Sequence, residues 1–229
     1  MIAERPDEAA AGLEAAALCA RIIDTYDDPV VRAYSRVRFQ IINRRILAEL
    51  AQYIPRQGLT IDLGCGFGLF SAYFSLLEGD RRVIGVDTSE RRIALARTSA
   101  ERLGLARRTR YQAGDARYVP DAEPADCIVT LDLLHHLPEV DAAPLLRRCH
   151  QVLKAGGRLV VKDVTTRPRP KIWFTWALDW LMAPGTPLCY RSRAEMTRLL
   201  EGAGFDVYSH GIDDLLPYPH ILYVCHKRS

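Results

Sequence analysis

The sequence Thr60–Phe70, TIDLGCGFGLF, decides the fold of this chain because it joins a buried strand to a glycine-rich turn and a helix. Apolar residues flank the acidic Asp62, and glycines follow at every second position, at Gly64, Gly66 and Gly68. Glycine permits positive φ and close approach of the backbone to a ligand. The stretch therefore predicts a nucleotide-like ligand at the carboxyl end of a strand, facing the free N–H groups of the next helix.

The spacing of these glycines excludes two common nucleotide-binding motifs. A dinucleotide-binding fold has the pattern G-x-G-x-x-G, and the position of its third glycine is occupied by Leu69. A P-loop needs a lysine directly after its last glycine, and no lysine occurs before Lys154. The ligand of this turn is therefore predicted to belong to another class.

Strand and helix alternate five times after residue 56. Strands are predicted at residues 60–63, 82–86, 108–112, 125–131 and 158–164, with helices between them. This alternation predicts an α/β fold with a parallel sheet and helices on both faces. Beyond residue 164 a helix at 192–200 precedes two strands, at 205–210 and 221–225, whose short connection predicts an antiparallel pair.

The N-terminal segment is predicted to be helical. Residues 1–12 are expected to fray and residues 13–23 to form a short helix. From Val30 to Ile54 apolar residues recur at helical spacing with arginines between them, which predicts one amphipathic helix with a solvated arginine face. Residues 1–55 are thus interpreted as a helical extension packed on a core domain of residues 56–229.

Composition bounds the class of protein. A chain of 229 residues with 48% hydrophobic residues and a net charge of +3 suggests one globular domain with small additions. The six cysteines are scattered without a C-x-x-C pair, which favours free thiols and a cytoplasmic location over zinc or redox sites. The longest apolar stretch, Trp173–Pro184, is too short to span a bilayer.

Three motifs resemble the class I S-adenosylmethionine (SAM)-dependent methyltransferases, in their small-molecule branch. They are D-x-G-x-G-x-G at 62–68, D-x-L-H-H-L at 132–137 and L-K-x-G-G-x-L-V-V at 153–161, and the resemblance covers about residues 57–165. It implies a three-layer, doubly wound, mostly parallel seven-stranded sheet with an antiparallel last strand. It also implies SAM as the cofactor and a small-molecule methyl acceptor as the partner.

The cofactor contacts follow from strand ends and from this resemblance. Asp87 ends the second strand, 25 residues after Asp62, where an acid can accept both ribose hydroxyls. In the resembling family an acid at the position of Asp115 lies beside the adenine and the backbone of Ala116 serves a ring nitrogen; the alternative is an ordinary strand-to-helix turn. The predicted SAM contacts are Asp62, Gly64, Cys65, Gly66, Gly68, Asp87, Thr88, Asp115, Ala116 and Leu131.

Catalytic candidates follow the fourth strand. Methyl transfer is an in-line displacement that needs a base only if the acceptor must lose a proton, and Asp132, His135 and His136 lie where the methyl group is expected. His136 is preferred because Leu133 and Leu137 are predicted to form the buried stripe. Alternatively, one histidine packs under the loop and the other is solvated. No metal is predicted, since three ligands from one short helical start have poor geometry.

A substrate cap is predicted at about residues 166–191. Trp173, Trp176 and Trp180 share one helical face there. This aromatic face is interpreted as part of a cap over an apolar or aromatic acceptor, and the alternative is a helix face that only packs on the core. O- or C-methylation is expected rather than N-methylation. In resembling enzymes a helix before the glycine motif covers the cofactor, so Tyr34 or Arg38 could contact the methionine carboxylate or the acceptor.

Two other functions remain open. Ten arginines between Arg81 and Arg117 would suit an RNA methyltransferase. Against this, acids dilute the run, and the N-P-P-Y type of motif used on base nitrogens is absent after the fourth strand. A non-catalytic SAM-binding protein would also carry the glycine motif and Asp87. The prediction is therefore a small acceptor and no nucleic-acid partner, with the oligomeric state undetermined.

Overall fold

A computed structural model describes residues 6–121, 123–168, 175–176, 188–212 and 218–227, with the side chains of residues 6–11 left aside. The helices are α1 (Pro6–Ile23), α2 (Pro29–Ile41), α3 (Arg44–Tyr53), α4 (Leu69–Leu76), α5 (Glu90–Arg102), α6 (Glu139–Val152) and α7 (Arg193–Gly202). The strands are β1 (Gln57–Leu63), β2 (Asp80–Asp87), β3 (Thr109–Ala113), β4 (Ala125–Leu131), β5 (Leu153–Val164), β6 (Phe205–Gly211) and β7 (His220–Lys227). A 3₁₀ turn covers Leu134–His136.

The strands form one seven-stranded sheet in the order β3-β2-β1-β4-β5-β7-β6. Strands β1 to β5 run parallel, whereas β7 is antiparallel to both of its neighbours, β5 and β6. The predicted doubly wound α/β fold with an antiparallel last strand is therefore confirmed.

Helices cover both faces of the sheet, and the side chains of β4 point alternately to one face and to the other. Cys127, Val129 and Leu131 pack in the same cluster as residues of α1 to α5. Ile128 packs in the opposite cluster, with residues of α6 and α7. Because side chains alternate along a strand, a strand buried on both faces reads as a continuous apolar run.

The site is positioned by the point where the strand order reverses. β1 lies between β2 and β4, so the connections that leave β1 and β4 run in opposite directions and over opposite faces. Such a reversal opens a crevice at the carboxyl ends of the two strands, where ligands bind in open α/β sheets. Here the crevice lies between Gly64 and Asp132, the residues that follow β1 and β4.

The N-terminal helices differ from the prediction. The single helix expected from Val30 to Ile54 is wrong, because the chain breaks between α2 and α3. The side chain of Asn43 accepts hydrogen bonds from the backbone N–H groups of Arg45 and Ile46 and so caps α3. The expected fraying of residues 1–12 is also wrong in part, since α1 begins at Pro6.

The cap is largely outside the described residues. Trp173 and Trp180 lie there, and Trp176 is half-exposed, so the predicted tryptophan face stays a prediction. β5 begins at Leu153, earlier than the strand predicted at 158–164, and it pairs with β4 through a register shift between Ala125 and Cys127. Among the described residues no helix combines the length and apolar character needed to cross a membrane.

Candidate active site

A cavity of about 500 Å³ opens at the carboxyl ends of β1, β2 and β4, and α2 forms one of its walls. It is lined by most of the residues predicted from the sequence, namely Asp62, Gly64, Cys65, Gly66, Asp87, Thr88, Leu131, Asp132, His135 and His136. Gly68, Asp115 and Ala116 are not in its lining. Strand order thus brings the cofactor candidates and the catalytic candidates to one site.

The glycine turn needs its glycines for two different reasons. Gly66 and Gly68 both have positive φ, at 55° and 79°, a region that side-chain-bearing residues avoid. A Cβ atom on Gly66 would meet no other atom within 4 Å, so this glycine leaves space for a ligand. A Cβ atom on Gly68 would lie 3.0 Å from Ala96 and from the Tyr111 hydroxyl, so this glycine serves the packing of the turn on α5 and β3.

Asp87 is held by the backbone around the cavity. Its Oδ2 atom accepts the N–H of Gly66 at 3.0 Å and its Oδ1 atom accepts the N–H of Ser89 at 2.9 Å. Each carboxylate oxygen has a further lone pair. The arrangement can therefore accept the paired hydroxyls of a ribose.

Asp62 is a second, more deeply buried acid of the cavity. Burial raises the pKa of Asp62 to about 6, although the Ser71 hydroxyl, which donates to Oδ2, acts in the opposite direction. Burial likewise raises the pKa of the Cys65 thiol well above its usual value. Cys65 is therefore part of the wall and no nucleophile at neutral pH, whereas Asp62 gains or loses its charge near pH 6.

Asp115 and Ala116 have other partners. Arg117 donates to both carboxylate oxygens of Asp115 and also to Asp141 at the start of α6. Ala116 is buried in the core on the α6 side of the sheet. In this arrangement neither residue reaches the cavity, and the predicted contacts with adenine stay a prediction.

Asp132 forms an ion-paired anchor at the end of β4. It is the only described non-glycine residue with positive φ, at 56°, a conformation that often marks a functional site. Its carboxylate lies between the Nζ atom of Lys162 at 2.5 Å and the guanidinium of Arg38 at 3.0 Å. Although burial opposes it, these two cations lower the pKa of Asp132 far below its usual value. Asp132 therefore stays ionised and is a poor proton acceptor.

Lys162 and Asp163 were missed by the sequence reasoning. They directly precede Val164, the last residue of β5, and both are fully buried. Burial lowers the pKa of Lys162, and the charge of Asp132 opposes that shift. The signal in the sequence was an adjacent pair of charged residues near the end of the mainly apolar stretch 158–164, RLVVKDV. This stretch ends β5, which lies next to β4 in the sheet.

His135 is oriented by Asp163. The Nδ1 atom of His135 lies 2.5 Å from Oδ1 of Asp163, and the imidazole is 2% exposed. Tyr190 stacks on the ring at a centroid distance of 5.6 Å, and the backbone N–H of Cys189 donates to the carbonyl of His135. With its proton on Nδ1, the ring presents the lone pair of Nε2, the nitrogen that can accept a proton.

The ring of His136 lies 4.1 Å from that of His135 and also lines the cavity. The argument that favoured His136 is wrong: Leu134 and His135 are the buried residues of this turn, and Leu133 and Leu137 are only partly buried. The turn is a 3₁₀ helix, whose spacing differs from that of the α-helix assumed in the prediction.

Helix α2 and the connection that precedes it cover the glycine turn through contacts with Phe67. The ring of Phe67 makes edge-to-face contacts with Tyr26 and Tyr34, and the Tyr26 hydroxyl donates to the Phe67 carbonyl at 2.9 Å. Tyr34 and Arg38, the two α2 residues singled out in the sequence, both line the cavity. The arginine face of this helix is therefore not wholly solvated, because Arg38 points inward.

A family model described as a methyltransferase domain matches residues 60–157. A ubiquinone biosynthesis O-methyltransferase of Cereibacter sphaeroides (strain ATCC 17025 / ATH 2.4.3) is 30% identical over 150 residues, 63% of this chain and 59% of the relative. One from Xylella fastidiosa (strain 9a5c) is 30% identical over 58% of this chain and 50% of the relative. The chain thus spans only about half to three-fifths of these curated relatives.

Solved structures share the fold at lower identity. The pyocyanin biosynthetic protein PhzM is 22% identical with a TM-score of 0.69, over 90% of this chain and 60% of that one. The SAH-bound magnesium protoporphyrin IX methyltransferase of Synechocystis PCC 6803 is 20% identical with a TM-score of 0.65, over 91% and 94%. The cyclase SpnF has a TM-score of 0.66 at 16% identity, over 80% of each chain, so the fold by itself does not fix the chemistry.

Proposed function

We propose that this chain is a class I SAM-dependent methyltransferase and that it transfers a methyl group from SAM to a hydroxyl oxygen of a small aromatic acceptor. The observation that carries this proposal is the contact of His135, which lines the same cavity as the glycine turn, with the buried Asp163. An imidazole held by a buried carboxylate is suited to remove a proton from a hydroxyl group. A hydroxyl acceptor needs that step, whereas an amine that is already neutral does not.

The cavity fits SAM in its charges and its shape. SAM carries a sulfonium and an ammonium group, and Asp62 and Asp87 offer negative charge next to the turn. Asp87 would hold the ribose hydroxyls, and Gly66 leaves the space for close approach of the ligand. When bound, SAM supplies an activated methyl group on a good leaving group.

Residues of the chain then remove the proton of the acceptor and position its oxygen. His135 accepts the hydroxyl proton on Nε2, and Asp163 holds the ring in the required tautomer and balances the imidazolium that forms. Asp132, Lys162 and Arg38 fix the end of β4, from which the turn with His135 begins. The remaining rate enhancement comes from positioning the acceptor oxygen in line with the methyl group.

A small aromatic acceptor is supported by the cavity wall and by the state of the arginines. Aromatic side chains of Tyr34, Phe67, Phe70 and Tyr218 face the cavity. Within the described residues, four of the ten arginines between residues 81 and 117 pair with carboxylates, and three more donate to backbone carbonyls, which reduces what the run offers to RNA. The two curated relatives are named O-methyltransferases, which agrees with a hydroxyl acceptor.

We further propose a cytoplasmic location, because all six cysteines are free thiols and a reducing compartment keeps them so. The predicted cap at about 166–191 is proposed to close over the acceptor.

Titration calorimetry with SAM and with its demethylated product tests the cofactor. Both are expected to bind, and Asp87→Ala is expected to weaken binding by about 1–3 kcal/mol, the scale of lost hydrogen bonds to a charged group. Binding of NADH without binding of SAM would overturn the proposal.

Release of S-adenosylhomocysteine with a panel of hydroxylated aromatic compounds tests the reaction. Turnover with a phenolic compound is the expected result. Turnover with RNA only, with an affinity that falls steeply as salt rises, would favour the RNA methyltransferase. Cofactor binding without turnover on either would favour the non-catalytic SAM-binding protein.

A further inference from the structure

Two buried carboxylates and an imidazole form a cluster near the carboxyl ends of β4 and β5. Ligand atoms of Asp132, His135 and Asp163 lie within 4.8 Å of one another, and the two acids are 9% and 1% exposed. Two carboxylates and a histidine are the donor set of many divalent metal centres. Buried carboxylates also need a compensating positive charge wherever they occur.

That positive charge is already present in the chain. The Nζ atom of Lys162 contacts Oδ1 of Asp132 at 2.5 Å, and the guanidinium of Arg38 contacts Oδ2 at 3.0 Å. The cluster therefore contains two carboxylates and two cations besides the imidazole. A divalent ion added to it would leave two surplus positive charges in a buried place, which is unfavourable.

We infer that Lys162 is the built-in cation of this site and occupies the place that a divalent metal ion would otherwise take beside these ligand atoms. Lys162 is completely buried, so it reaches no acceptor and acts as a positioning residue. Its carbonyl also accepts the backbone N–H of Asp132 at 2.9 Å. One residue of β5 thus fixes the end of β4 through both its backbone and its side chain.

Removal of the lysine should expose the latent metal site. Without Lys162 the cluster has a negative charge in excess and a space next to Asp132. In the part of the chain that the structure describes, Oδ2 of Asp163 is buried and accepts no hydrogen bond, so it is available as a ligand. Loss of one side chain should therefore convert a site that excludes metal into one that binds it.

The experiment measures Mn²⁺ binding to the full-length protein by electron paramagnetic resonance and by thermal shift. Wild type is expected to bind no Mn²⁺ at this site and to show no shift. Lys162→Ala is expected to bind one Mn²⁺ and to be stabilised by it. Adding Asp163→Asn to that variant should weaken the binding roughly tenfold or more, the usual effect of disturbing a metal site.

Two results would overturn the inference. One is Mn²⁺ binding to wild type that Asp163→Asn abolishes, and the other is a folded Lys162→Ala variant that binds no Mn²⁺. Lys162→Gln, which keeps a hydrogen-bond donor but loses the charge, is measured in the same way if the alanine variant fails to fold. The inference concerns the site of the proposed methyl transfer, but these measurements need neither SAM nor an acceptor. The inference on Lys162 and the proposed methyl transfer can therefore fail independently of each other.

Discussion

The guanidinium of Arg38 donates to Oδ2 of Asp132 over 3.0 Å, although 94 residues separate the two in the chain. Both side chains are largely buried, at 16% and 9% exposed. This ion pair fastens α2, which covers the cavity, to the end of β4, from which the turn with His135 begins. This ion pair therefore links the covering helix to the turn that carries the proposed base.

We expect Arg38→Met to lower the free energy of unfolding by about 3 kcal/mol. Breaking a buried ion pair costs about 3–5 kcal/mol because an uncompensated charge remains, and Lys162 keeps this loss at the lower end. Urea unfolding measures the change. The matched control is Arg32→Met on the same helix, whose pair with Asp24 is 37% and 66% exposed and whose loss should stay within about 0.5 kcal/mol. Equal losses in the two variants would contradict the role of Arg38.

His135→Ala should lower kcat by about 10²–10⁴-fold, the usual contribution of a general base. His136→Ala should lower kcat by less than about 10-fold, because Asp163 orients His135. Turnover is measured at saturating SAM, and calorimetry checks that both variants bind SAM as wild type does. If His136→Ala is the variant that loses turnover, orientation by Asp163 does not select the base.

Asp163→Asn tests the same pair from the other side. The amide cannot balance the charge of the imidazolium and can hold the ring in the wrong tautomer. We expect kcat to fall by a similar order as in His135→Ala, with the affinity for SAM unchanged. A double variant should then be little worse than either single one, whereas additive losses would show that the two side chains act separately.

SAM affinity should depend on pH through Asp62, whose pKa burial raises to about 6. Above pH 6 the carboxylate is ionised and attracts the cationic ligand; below pH 6 it is protonated, and affinity should fall by up to about tenfold per pH unit. In the ligand-free protein the sign is opposite: a raised pKa destabilises the fold above pH 6, and this penalty is absent below the usual value of 3.8. Calorimetry between pH 5 and 8 measures the dependence, and Asp62→Asn should remove it.

Gly66→Ala should weaken SAM binding, because its Cβ atom would enter the open space of the cavity. The matched control is Gly104→Ala, at the end of α5, where φ is also positive, at 72°, and where a Cβ atom also meets nothing within 4 Å. Both variants should lose about 1–2 kcal/mol of stability through backbone strain. Only Gly66→Ala should lose affinity for SAM, and a loss in both would mean that strain alone accounts for it.

Most of the fold could be predicted from local patterns in the sequence, namely apolar runs, helical spacing and polar residues at strand ends. β4 was predicted at the residues where it lies, since a strand covered on both faces is a continuous apolar run bounded by polar residues. The break between α2 and α3 was missed because the helical spacing of apolar residues continues across it, and Asn43 was the local signal that went unused. Gly64, Gly66 and Asp87 could be predicted to lie together because each stands at the carboxyl end of a strand.

The sequence by itself determined the α/β order of elements, the glycine turn and the set of polar residues at the carboxyl ends of the strands. These depend on periodicity and on backbone conformations that a few residues fix locally. Only the tertiary structure decided which of those polar residues meet: Arg38 with Asp132, Lys162 with Asp132, and His135 with Asp163. These partners lie 94, 30 and 28 residues apart, and their pairing depends on strand order and on the burial that forces each charge to find an opposite one.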